Sequence, residues 1–187
     1  AHRALLRAFP GPMRRAHVRA RLDARGTDAG PSPGVAGLLA RLVADDMRGH
    51  ADDQGRSGAL ELLPSFLKHL NDPVREHDCL AGGLNLARAW LLAAEAGADA
   101  AGAARLLRGD LEPLDAFLRA RMDELWAVAS REHAGGSDGP PSRAQLAFTR
   151  LQLQLTLLER ATELARAVQA TAPQLQNADG TGTSAGS

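Results

Sequence analysis

The sequence predicts an all-α fold, an antiparallel bundle of six to seven helices around one central apolar helix. Three observations carry that expectation. Ala and Leu make 67 of 187 residues, while Ile and Tyr are absent and Val occurs six times. Helix formers are thus abundant, and the β-branched and aromatic residues that fill sheets are scarce. Apolar residues recur at helical spacing in successive segments, and Gly, Pro and short polar clusters separate them.

The central helix is expected at 72–97 (DPVREHDCLAGGLNLARAWLLAAEAG). Asp72 is a good N-cap, Pro73 suits a first helical position and Gly97 suits the position after the last turn. At about 100° per residue, Cys79, Leu80, Leu84, Leu86, Ala87, Trp90, Leu91, Ala93 and Ala94 cover more than half the circumference. Such a helix is normally enclosed by others. Each member of Gly82-Gly83 costs about 1 kcal/mol against alanine in a helix interior, so the pair predicts a close helix–helix approach or a kink.

In chain order, residues 1–25 form a basic, helical N-terminal segment broken at Pro10-Gly11-Pro12. It holds seven arginines and one acid, Asp23, so the neutral chain carries a net charge of about −6 elsewhere. Arg14, Arg15, Arg19 and Arg21 are the candidate partner-binding residues there. The composition also resembles an organelle transit segment. Ser32 is expected to cap a helix at 33–50 with Val35, Leu38, Leu39, Leu42, Val43 and Met47 as its stripe. Residues 58–71 predict a helix kinked or restarted at Pro64. After Gly97, Asp99 caps a short helix at 100–108 that Gly109 ends, and Asp110 caps a helix reaching about His133. AGGSDGPP (134–141) reads as a linker. Ser142 and Gln145 make a capping box for a last helix, 143–170. LQLQLTLL (151–158) alternates like a strand, but that box and its helical flanks outweigh it. Pro173 is expected beyond the helix end, with 172–187 as a disordered tail. The domain proper is therefore 26–171.

The segment 86–113 resembles one tetratricopeptide unit: two helices, a Gly turn, small residues at the crossing and a closing Pro. No second copy follows at the roughly 34-residue period, so the resemblance stops at one helix pair.

Several polar side chains fall on faces the helical wheel assigns to the core. Asp46 and His50 lie on the inner face of 33–50, Arg121 lies between Leu114, Phe117 and Val128, and Arg150 and Gln154 lie on the last helix. An unpaired charge in a core costs several kcal/mol. Asp46 is therefore expected to pair with Arg121 or Arg150 across the bundle, with Gln154 completing a network. Structural register, misjudged exposure and a ligand or catalytic pocket compete as readings.

The sequence contains no nucleotide loop, no Gly-x-Ser-x-Gly elbow and no catalytic cysteine signature. His77 and Cys79 point to different sides of one helix, which disfavours zinc, and Cys79 reads as a small buried residue. Asp46 and His50 lack the Glu-x-x-His pairs of a bundle metal site. No cofactor is expected. A single cysteine favours a reducing, intracellular compartment. No apolar run approaches the roughly 20 residues of a membrane span. The chain begins with Ala, which reads as processing or as a piece of a longer polypeptide.

The favoured expectation is a non-enzymatic protein-interaction or scaffolding domain within a larger protein or complex. The alternative is a small all-α enzyme or ligand-binding protein whose pocket is lined by Asp46, His50, Arg121, Arg150 and Gln154. Scarce aromatic residues disfavour single-strand nucleic-acid binding.

Overall fold

The computed structural model describes residues 11–24, 30–49, 53–68, 72–97, 99–134 and 142–179. All regular structure among them is helical: α1 (Gly11–Asp23), α2 (Pro33–Gly49), α3 (Asp53–Leu67), α4 (His77–Ala96), α5 (Ala100–Leu106), a π-helical turn (Leu107–Leu111), α6 (Glu112–Ala134) and α7 (Arg143–Asp179). The helices pack into a bundle with α4 at its centre, touching α2, α3, α5 and α7.

α4 buries Cys79, Leu80, Leu84, Leu86, Ala87, Trp90, Leu91 and Ala94, and both of its interior glycines. Its glycine pair faces two neighbours at once. A Cβ on Gly82 would stand 2.9 Å from Gly37 Cα, and one on Gly83 would stand 2.7 Å from Phe66 Cβ. The pair therefore admits α2 on one side and α3 on the other. Trp90 is 1% exposed, and its Nε1–H donates to Arg56 O at 2.9 Å. Cys79 is fully buried, as its reading required.

The expected caps form at three helix starts. Ser32 Oγ accepts from Val35 N at 3.5 Å, and Asp99 Oδ1 accepts from Gly102 N at 2.8 Å. Ser142 Oγ accepts from Gln145 N at 3.2 Å while Gln145 Oε1 accepts from Ser142 N at 2.7 Å, the reciprocal pair of a capping box. Behind it the alternating leucines are helical: Leu151, Leu155 and Leu158 are buried, whereas Leu153 points outward.

Four boundaries differ from expectation. α4 begins at His77 rather than Pro73. Asp72 Oδ1 accepts from Val74 N and Arg75 N at 3.0 and 3.3 Å, so it caps a separate turn. Glu76, at φ −91° and ψ 16°, then stands between that turn and the helix. α3 begins at Asp53 and runs through Pro64 to Leu67. Gly109 does not stop a helix and Asp110 does not cap one, because the π-helical turn carries the chain from α5 directly into α6. α7 continues past Pro173 to Asp179, while residues 180–187 and the expected linker at 135–141 lie outside the described residues.

Candidate functional site

The polar anomalies do not converge. Asp46, on α2, pairs with Arg14 of α1 at 2.6 Å, with side-chain exposures of 13% and 16%. The pairing expected with Arg121 or Arg150 is thus replaced by one from the N-terminal segment. Arg121 pairs with Glu124 one turn along α6, at the surface. Arg150 is exposed and has no ion pair among the described residues. Gln154 is buried, but its Nε2–H donates to His77 O at 3.1 Å, an α4 backbone group. His50 lies outside the described residues.

The wheel misplaced Arg121 for a physical reason. α6 packs chiefly on α7 and the π-helical turn. Leu111, Leu114 and Leu118 are buried there, while Phe117 and Val128, on the edge away from α7, remain 41% and 38% exposed. Arg121 sits between those two, on an apolar edge that nothing covers among the described residues. On the opposite edge of α6, Trp126 is 60% exposed and its ring lies 5.3 Å from that of Phe148 on α7.

The described part of the basic segment, α1, packs onto the bundle. α1 seats Val18 and Leu22 in the core, and three of its arginines reach neighbouring helices. Besides Arg14, Arg19 Nη2 lies 3.4 Å from Glu61 Oε2 of α3. Arg15 lies across Gly58, where a Cβ would stand 2.5 Å from its Nε. The cavity of about 400 Å³ between α1 and α3 mixes Arg15 and Arg19 with Asp23 and Glu61, so it offers no single sign of charge. A smaller cleft of about 200 Å³ between α6 and α7 sets Glu112, Asp115, Glu159 and Glu163 against Arg119 and Arg166, so its lining is net acidic. Within it Arg119 donates one hydrogen bond to Asp115 and a second to Glu159, which raises its pKa and only deepens an already permanent charge.

A larger groove opens on α2, with a volume of about 640 Å³. Its floor and walls are Val35, Leu38, Leu39, Leu42, Ala44, Gly82 and Leu86, and Arg21, Arg41, Arg48, Asp45 and Asn85 edge it. The local sequence explains the shape. Gly37 and Gly82 bring α2 low onto α4 beside Ala40, and Ala36, Val43 and Met47 of α2 are buried as well. The apolar stripe of α2 is wider than that contact, so Leu38 stays 57% exposed and Val35 37%. Both residues were expected in the core. Three guanidiniums against one carboxylate leave the lining net positive, and Asp45 is already 3.0 Å from Arg48.

The sequence also gave no warning of one buried carboxylate. Asp110, 7% exposed, points inward from the π-helical turn, and Lys68 Nζ lies 3.0 Å from its Oδ1, an ion-pair contact without hydrogen-bond alignment.

Among the described residues, no group of three or more His, Cys, Asp or Glu side chains is placed to hold a metal ion, and no helix is long and apolar enough to cross a membrane. Comparison with known proteins found no matching family model, curated protein or solved structure.

Proposed function

We propose that the chain is a non-enzymatic helical protein-interaction domain whose docking surface is the α2–α4 groove, and that its partner is an amphipathic helix with acidic flanks. The observation that carries this reading is the groove's composition: an apolar floor bounded by Arg21, Arg41 and Arg48. Apolar grooves receive the apolar face of a helix, whose residues at i, i+3 or i+4 and i+7 serve as anchors. Guanidiniums at the edge favour carboxylates, which they bind in charge-assisted and often bidentate hydrogen bonds. Arg41 is exposed and has no ion pair among the described residues, so it is available to such a partner. A scaffold within a larger assembly, in a reducing compartment, is the setting that suits this reading. The pocket alternative has no observation in its favour, since its described members face different neighbours.

A displayed library of amphipathic helical peptides, selected against the whole chain, tests the proposal. Enriched peptides should pair a Leu- or Phe-rich face with flanking Asp or Glu. Leu38→Glu should weaken their binding at least about tenfold, and Arg41→Glu should weaken it and flatten its salt dependence. Enrichment of neutral or basic peptides, or binding indifferent to Leu38→Glu, overturns it.

A further inference from the structure

The open edge of α6 carries a pattern that fits a copy of itself. Phe117, Arg121, Glu124 and Val128 follow one another at intervals of four, three and four residues, the alternation of a coiled-coil seam. All four are substantially exposed, on the edge of α6 that turns away from α7. Their order is apolar, basic, acidic, apolar, and the spacing reads the same from either end. A helix with that pattern is complementary to itself when the second copy runs antiparallel. A two-fold axis between residues 122 and 123 sets Phe117 against Val128 of the other copy and Arg121 against its Glu124, twice over. Closed two-fold contacts require this reciprocity, in which the same patch serves both subunits. The parallel arrangement fails the same test, because it places Arg121 against Arg121 and Glu124 against Glu124.

We infer that the α6 edge is a homodimer contact, in which a second copy of this chain packs antiparallel along Phe117, Arg121, Glu124 and Val128. Within one chain Arg121 and Glu124 already pair along the helix, at the surface. On association the same charges are shared across the axis, and the two apolar residues at the ends of the seam leave water together. The contact is independent of the α2 groove, which lies on other helices.

Sedimentation velocity of the full chain over a concentration series tests this. The wild-type chain should pass from monomer to dimer as concentration rises. Arg121→Glu puts two acids on each copy's seam and Glu124→Arg puts two bases there. Each variant alone should associate about tenfold more weakly or worse, because two attractive pairs become repulsive. An equimolar mixture of the two should dimerise again, since every facing pair is then of opposite sign. Both sites are exposed, so melting temperatures should stay close to wild type and exclude unfolding as the cause. Direction is read by cross-linking: Phe117→Cys mixed with Val128→Cys should form a disulfide-linked dimer, and neither should do so alone. A wild-type chain that stays monomeric throughout, a mixture no better than its parts, or a link formed by Val128→Cys alone overturns the inference.

Discussion

One methyl group added at Gly82 should destabilise the fold, and the same group added at Gly109 should stabilise it. In both places the change removes a flexible glycine from helical backbone, a gain of about 0.5–1 kcal/mol in the absence of other effects. At Gly109 nothing lies within 4 Å of the new Cβ, so that gain is kept. At Gly82 the Cβ meets Gly37 Cα at 2.9 Å, Ala40 Cβ at 3.0 Å and Gly37 O at 3.1 Å. None of these atoms can rotate away, because two belong to the backbone and one is fixed to it. The helices must separate, and overpacking of this kind costs about 1–3 kcal/mol. With backbone as the obstacle the upper part of that range applies, so Gly82→Ala should lose about 1–2 kcal/mol net. For a chain of this size each kcal/mol moves the melting temperature by about 2–4 °C. Thermal unfolding followed by circular dichroism should therefore place Gly82→Ala about 2–8 °C below wild type and Gly109→Ala slightly above it. A Gly82→Ala protein as stable as wild type would refute the backbone-level contact between α2 and α4.

Other substitutions separate interior charges from surface ones. Asp46→Ala should cost about 1–3 kcal/mol in urea unfolding, because it removes the ion pair that ties a largely buried Arg14 of α1 to α2, and should speed tryptic cleavage within α1. Arg121→Ala and Arg150→Ala should each change stability by less than about 0.5 kcal/mol, as surface positions do. Trp90→Phe should cost about 1–2 kcal/mol, since the hydrogen bond from the indole to the Arg56 carbonyl is lost and part of the indole volume is left empty. In native protein Cys79 should resist alkylation, followed by mass spectrometry, and react only once the chain is unfolded.

What local chemistry decides was legible in the sequence. Ser32, Asp99 and the Ser142–Gln145 box mark helix starts because a cap acts within three residues of itself. Gly82-Gly83 announced a close approach because a glycine pair in an otherwise well-formed helix needs a reason. Partner choice was not legible. Asp46 lay correctly on the inner side of its helix, but the wheel says which way a side chain faces and not which helix arrives there. The arrival of α1, bringing Arg14, depends on how Val18 and Leu22 seat in the core. The wheel also assumes that an apolar stripe is fully covered. For α2 and α6 the covering helix is narrower than the stripe, and the residue left over at each edge is the candidate surface. The π-helical turn was hidden for a related reason. Gly109-Asp110 has the composition of a stop followed by a cap, and only the packing around Asp110 shows that the backbone runs on.

Lys68 is the sole lysine among 187 residues. Apart from the chain's own amino terminus, every amine-directed reagent, dye or acylating enzyme therefore has one address on this protein. That address is only 45% exposed, and its ammonium is the counter-charge of a buried carboxylate. Acylation there would erase the positive charge and leave Asp110 facing the interior without it, inside the turn that joins α5 to α6. A fluorophore attached by amine coupling would thus be a perturbation as well as a label. For a silent tag, a cysteine on an exposed helix face is the better handle.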